Sequence, residues 1–417
     1  MLTADQKLAG EIREFVTQDA GGPPEPGRFP PDPFWQSLRD TGTELWLDTG
    51  DIQEARSLWN RSFSALTTNN TLLNAEVQKG IYDGLISDAA GMLSGLGERE
   101  RVMEIAFILN ARHGLNLVRA FGARVSVELH TDCARSVDMT LAFGRRFHQV
   151  SPDHFIVKVP LTPEGLIAAR KLREEHIPVN CTLGFSARHN HLAALFAFPS
   201  YVNVFLGRLG SYVADNGLGD GLLVGERATL ASQREVRQLR ERTGREVRQI
   251  AASMRSPGQI RDLAGVDVFT MPVKVAREAR ERLEGSWSSM VDREYPVNLA
   301  PGVPPEQVRI HTLWAVSEAE RELALSLDHS PPGGPEELVE RAHQGGAGDL
   351  FPRMTREELD RIASDGKIPA HAAWAPRIQR GELAVDSLLN LAGLASFAES
   401  QAELDGRIRK LVSGRGA

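Results

Sequence analysis

Lysine is scarce in this chain. Only seven lysines stand among 48 basic residues. One of them, Lys158, lies inside the run His-Phe-Ile-Val-Lys-Val-Pro at 154–160. That run is apolar and β-branched, the composition of a strand buried on both faces. Burial disfavours an ammonium group and favours the neutral amine, and a neutral amine attacks carbonyl carbon. Schiff-base chemistry is therefore the first activity the sequence offers. Lys7, Lys79, Lys171, Lys367 and Lys410 sit among charged or loop residues. Lys274 follows the apolar run at 268–272 but opens what reads as an amphipathic helix. By itself, Lys158 reads equally well as a lysine that reaches out of a strand end or pairs with a buried acid. Its neighbourhood has to decide.

The elements that would position it form a repeating pattern. Short apolar runs at 44–48, 63–68, 125–129, 155–159, 178–183, 201–205, 247–253 and 268–271 alternate with charged, helix-period segments such as 163–175 and 232–242. Eight strands alternating with helices predict an α/β fold, a closed (β/α)8 TIM barrel, which typically takes about 250 residues. An open doubly wound sheet is the alternative, and no G-x-G-x-x-G turn follows the first strand to support it. The expected organisation is an N-terminal helix (3–17) and a Gly/Pro-rich linker (20–33) within 1–40, the catalytic barrel over 41–285, and a helical extension packed on it over 286–417. Short helices are expected at 315–327, 335–343 and 355–364. A longer one is expected at 381–412, where Leu383, Leu388, Leu391, Leu394 and Phe397 recur near helical spacing.

In a barrel of this kind the chemistry sits at the C-terminal strand ends. Those ends carry Asp48, then Asn69, Glu128, Lys158, Asn180 with Thr182, Asn203 with Phe205 and Arg208, and Ser253 with Arg255. Each has a plain structural reading. Asp48 could cap the helix that begins near Asp51, Asn69 could serve a turn, Glu128 could pair with Arg124 at the surface, and Arg208 and Arg255 could be solvated. Together, a lysine, two acids and two arginines on one face suit an anionic carbonyl substrate.

Bulk properties narrow the field. The chain has 417 residues, is 41% hydrophobic and 25% charged, and carries a formal net charge of −7. That balance gives no footprint for nucleic acid or anionic membrane. Cys133 and Cys181 form no CxxC pair and no zinc spacing. No N-terminal signal core and no apolar stretch approaching about 18 residues is visible, so a soluble, cytoplasmic protein is expected. The segment Asp215-Asn-Gly-Leu-Gly-Asp220-Gly lacks calcium-loop spacing and a terminal glutamate. His189 and His191 do not share a helix face. Neither feature reads as a metal site.

The ordered motifs resemble the transaldolase family. They are Leu45-Trp-Leu-Asp48, Thr67-Thr-Asn69, Val125-Ser-Val-Glu128, Ile156-Val-Lys-Val-Pro160 with Thr162-Pro-Glu-Gly165, Val179-Asn-Cys-Thr-Leu-Gly-Phe-Ser186, Phe205-Leu-Gly-Arg208 and Ala252-Ser-Met-Arg255. The resemblance implies a class I, metal-free transfer of a dihydroxyacetone unit from a ketose phosphate to an aldose phosphate, as in the pentose phosphate pathway, with no cofactor and a monomer or homodimer. It implies that Lys158 forms the Schiff base and that Asp48 acts on the hydroxyl proton at carbon–carbon cleavage. Glu128 and Thr182 would hold a catalytic water. Asn69 and Asn180 would bind the dihydroxyacetone moiety, with Asn203 and Phe205 beside it. Arg208 and Arg255, helped by Ser253, would bind the phosphate. The chain departs from the family pattern at Asn70, where proline is usual, and at Asn203, where serine is common. Phe205 stands where related aldolases tend to carry tyrosine, which favours transfer over simple cleavage. The alternatives are an aldolase of this type acting on another phosphorylated sugar, and a non-catalytic sugar-phosphate-binding barrel.

Overall fold

The computed structural model describes residues 6–18 and 29–413. Eight parallel strands close into a barrel in sequence order. They are β1 (Glu44–Asp48), β2 (Phe63–Thr67), β3 (Arg124–Glu128), β4 (Phe155–Pro160), β5 (Val179–Thr182), β6 (Tyr201–Phe205), β7 (Arg248–Ala252) and β8 (Val268–Pro272). β8 pairs with β1 to complete the ring. The arrangement is a (β/α)8 barrel with a helical C-terminal extension, as the alternation of apolar runs and helical segments predicts. β4, β5 and β6 are buried along their whole length, which is why they read as continuous apolar runs rather than alternating ones.

Residues two apart on a strand share a face, and the barrel is filled in layers accordingly. Glu44, Trp46 and Asp48 succeed one another along β1. At the N-terminal end of the strands the Glu44 carboxylate accepts from Ser64 Oγ (2.6 Å), Trp46 Nε1 (2.8 Å) and Arg124 Nη2 (2.8 Å), and it pairs with Arg248. Above that layer the fully buried Trp46 ring meets Tyr201 edge-on, with centroids 4.8 Å apart. Arg124 is thus engaged at the opposite end of β3 from Glu128, and the surface pairing of those two residues does not occur. The barrel is plugged from below, so its open end is the one carrying the polar strand termini.

The outer elements differ from expectation in detail. The first helix is Gln6–Thr17, and it buries Ile12 and Val16. Most of the expected linker lies outside the described residues, and a second helix, Pro33–Arg39, starts at its end. Asp32 caps this helix and Pro33 opens it, a start that is well suited to proline; a Gly/Pro-rich window hides such a start. In the extension the helices Glu318–His329, Pro335–Gln344, Arg356–Asp365 and Val385–Ser413 match the expected segments, and His371–Gln379 is additional. Its internal Pro376 masks the helical pattern.

A buried ion cluster docks the extension on the barrel. Arg188, just after β5, bonds both oxygens of Asp386 (2.7 and 2.8 Å), Glu320 (2.8 Å) and Asp349 (2.9 Å). Burial alone would raise the Asp386 carboxyl, yet Arg188 holds it well below the ordinary carboxylate range. No helix among the described residues is long and apolar enough to cross a membrane.

Candidate active site

A cavity of about 270 Å³ opens at the C-terminal strand ends, over the plugged interior. Strand register sets its floor. Glu128 lies beside Lys158, and Lys158 beside Asn180, across β3, β4 and β5. Lys158 is buried, whereas each of the other six lysines is exposed, Lys274 included. Its Nζ stands 3.6 Å from Glu128 Oε2 and donates to the Thr68 carbonyl at 3.2 Å. Glu128 Oε2 also accepts from the Asn70 backbone N–H at 3.3 Å. Asp48 faces the cavity from β1 and accepts from Thr67 Oγ1 at 2.6 Å. Thr67 in turn meets Thr270 of β8 at 2.6 Å.

Both acids are tuned by desolvation. Burial raises Asp48 above the ordinary carboxylate range, against the opposing pull of Lys158, the Thr67 hydroxyl and Arg255. Burial likewise raises Glu128, against Lys158 and the Asn70 N–H. Two carboxyls of raised affinity for protons beside one amine form a set suited to acid–base work.

Amides line the middle of the cavity. Asn180 Nδ2 donates to Ser126 Oγ (3.1 Å), and Asn203 Nδ2 donates to Asn180 Oδ1 (3.3 Å). Asn203 Oδ1 accepts from Gly184 N (3.2 Å). Asn69 lines the cavity and also caps the following helix by accepting from Leu72 N at 2.9 Å, so its turn role and its place in the site coexist. Thr182 is fully buried, and its Oγ1 has no hydrogen-bond partner among the described residues.

The upper wall is cationic. Arg208 stands in the first turn of the helix Leu206–Asp215, and Arg255 follows β7. Among the described residues neither guanidinium has a carboxylate partner, and Arg208 Nη1 is buried without a hydrogen bond. Burial, then the like charge of Arg255, pushes Arg208 down to about 10. Ser253 holds φ +63°, a left-handed conformation that is costly for a non-glycine residue. Gly207 lets the helix start approach this turn, since a Cβ there would lie 2.2 Å from the Ser253 carbonyl oxygen. Gln259 accepts from the Arg255 N–H at 2.6 Å and fixes the loop.

A match covers residues 45–297, most of the barrel and the segment after it, with the family model described as Transaldolase/Fructose-6-phosphate aldolase. The chain belongs to that family. It is 34% identical over 240 residues to a probable transaldolase of Thermus thermophilus, covering 56% of this chain and 89% of that one. A transaldolase of Xanthomonas campestris pv. campestris is 29% identical over 270 residues, 63% of this chain and 81% of its own. One of Kluyveromyces lactis is 28% identical over 253 residues, 58% and 74% respectively.

Of the residues expected from sequence, Asp48, Asn69, Lys158, Asn180, Asn203, Phe205, Arg208, Ser253 and Arg255 all border this one cavity. Glu128 and Thr182 are not among its lining residues, and Glu128 meets Lys158, which is. Eight further residues line the cavity, Thr67, Thr270, Phe397 and Lys367 among them. Thr67 stands in the Thr67-Thr-Asn69 motif at the end of β2, and Thr270 carries no sequence signal. Phe397, from the helix Val385–Ser413, places its ring 5.8 Å from both Lys158 Nζ and the Arg208 guanidinium carbon. In sequence it was one apolar residue of a helical stripe. Lys367 comes from a loop that sequence reading left without a role. His189 and His191 are buried, with His191 Nδ1 3.1 Å from Glu235 Oε2. No group of three or more His, Cys, Asp or Glu side chains among the described residues is placed to hold a metal ion.

Proposed function

We propose that the chain is a transaldolase, which moves a dihydroxyacetone unit from a ketose phosphate to an aldose phosphate through a Schiff base on Lys158. The observation that carries this reading is a buried lysine against Glu128, facing Asp48 across a cavity whose far wall holds two arginines with no carboxylate partner among the described residues. The Lys158 amine adds to the ketose carbonyl, and water leaves to give an iminium. Asp48 takes the proton from the hydroxyl on the carbon beyond the scissile bond. That bond breaks into an aldehyde, and its electron pair passes into the iminium, giving an enamine. The aldose departs, an acceptor aldehyde enters, and the steps reverse. Glu128, with the Thr182 hydroxyl, serves a water that carries protons at the imine. Asn69, Asn180 and Asn203 bind the hydroxyls of the three-carbon unit. Arg208 and Arg255, with Ser253, bind the phosphate, which guanidinium forks suit.

In this mechanism the iminium is the electron sink, so turnover should persist in EDTA. Incubation with fructose 6-phosphate, borohydride reduction and peptide mapping tests the central step. A reduced adduct on Lys158, lost with Lys158→Ala together with turnover, is the expected result. An adduct on another lysine, or turnover retained by the variant, would overturn it.

A further inference from the structure

We infer that Lys367, delivered by the C-terminal extension, is a third phosphate-binding cation of this cavity and strengthens its preference for phosphorylated over neutral sugars. The inference rests on the reading of the cavity as a sugar-phosphate site. Lys367 lies outside the residues the family model matches, 45–297, and so belongs to what this chain adds to the barrel. It borders the same cavity as Arg208 and Arg255. It has no ion-pair or hydrogen-bond partner among the described residues.

The loop that presents it is held in place at several points. Gly366 adopts φ +76° and ψ −145°, a conformation essentially reserved for glycine. The Asp365 carboxylate accepts from the Ala370 N–H at 3.2 Å, closing the loop on itself. Asn216 clasps its far end, donating to the Pro369 carbonyl (3.1 Å) and accepting from the His371 N–H (2.7 Å). The Tyr212 hydroxyl meets His371 Nδ1 at 2.7 Å. Tyr212 and Asn216 lie at the end of the helix whose first turn carries Arg208. One helix therefore carries one cation of the wall and anchors the loop that supplies another.

Arg208, Arg255 and Lys367 border one cavity, and none of them has an ion-pair partner among the described residues. The cavity's own acids, Asp48 and Glu128, sit at the floor with Lys158. A dianionic phosphate at the upper wall meets the unmet charge of all three. Since the Lys367 head is exposed, its contact is screened and its effect modest.

The test compares the full-length wild type with Lys367→Met, Lys367→Arg and, as an exposed control on the outer helix, Lys274→Met. Calorimetry measures binding of inorganic phosphate at low and high sodium chloride, and kinetics compares fructose 6-phosphate with unphosphorylated fructose. Lys367→Met should weaken phosphate binding and raise KM for the phosphorylated ketose by about 1.5- to 5-fold, with kcat retained. It should leave KM for fructose unchanged and flatten the salt dependence, while Lys367→Arg should retain most of the binding. Equal phosphate affinity in Lys367→Met and wild type, or equal loss for both ketoses, overturns the inference. Borohydride trapping separates this failure from failure of the functional reading. An adduct on Lys158 with unchanged phosphate binding in Lys367→Met sinks the inference alone. Weakened phosphate binding without any adduct keeps the inference and sinks the Schiff-base reading.

Discussion

Glu128 receives a hydrogen bond that the family's usual residue at position 70 could not give. Asn70 is the first residue of the helix Asn70–Gln78, and its backbone N–H donates to Glu128 Oε2. A proline has no N–H, although it fits the first position of a helix well. The bond favours the ionised carboxylate and so opposes the burial that raises Glu128. Asn70→Pro should keep the fold, raise the Glu128 pKa further and move the acidic limb of the pH–rate profile toward neutral pH. The loss of one backbone bond to a charged group corresponds to about 1.5–3 kcal/mol. A profile that does not move, measured alongside an unchanged melting temperature, would remove Glu128 from the proton path. The value of Asn70 is not legible in the sequence, because the N–H belongs to the backbone and its acceptor lies 58 residues away. Lys158 was legible for the opposite reason. Its own strand is apolar throughout, and one charge stands out in it.

At the scale of elements, the eight strands were readable because burial on both faces leaves continuous apolar runs, with Tyr201–Phe205 and Glu44–Asp48 found at their expected bounds. The closing helix was readable as a helix but not as part of the site. It crosses the barrel mouth, from Asp386 at the Arg188 cluster to Arg407, which pairs with Asp83. Asn390 Nδ2 donates to the carbonyls of Leu161 and Leu183 on the way. Gly393 is what allows the close approach, since a Cβ there would lie 2.7 Å from Leu183 Cδ2 and 3.3 Å from Arg208 Nη1. Gly393→Ala should therefore cost about 1–3 kcal/mol through overpacking. It should also push Arg208 away from its place and raise KM for phosphorylated substrates more than it lowers kcat. A variant with wild-type kinetics and melting temperature would show that the helix shifts freely and does not shape the phosphate wall.

Over the whole molecule, acid should loosen the fold. His113 is buried against the Tyr82 hydroxyl, 2.8 Å away, and burial pushes it from 6.5 down to about 4. Below pH 6.5 the unfolded chain takes up a proton at this residue that the folded chain refuses, so stability falls as pH drops from 6.5 toward 4. This single group accounts for a loss of about 3 kcal/mol by pH 4. His189, also lowered by burial, acts in the same direction. Melting temperatures should therefore decline steadily across that window, and His113→Gln should flatten the decline. A flat profile in the wild type would mean that His113 is charged in the fold.

The remaining question for the whole molecule is whether it transfers the three-carbon unit or releases it. Phe205 borders the cavity with its ring packed on Phe185, centroids 5.7 Å apart, and brings no hydroxyl to the space above Lys158. Phe397 covers the same space from the closing helix. Neither ring adds a hydroxyl that could hold a further water to protonate the enamine, so the enamine should persist until an aldehyde enters. Turnover of fructose 6-phosphate should be slow alone and should rise at least about tenfold with erythrose 4-phosphate, since one positioned proton donor typically contributes 10²–10⁴-fold. Phe205→Tyr should raise acceptor-independent release of dihydroxyacetone. Release by the wild type as fast without acceptor as with it would make this chain an aldolase. An adduct on Lys158 without turnover in either condition would instead point to a different phosphorylated sugar, with Asn203 the first residue to examine, because it contacts both Asn180 and the Gly184 backbone where the three-carbon unit is expected to lie.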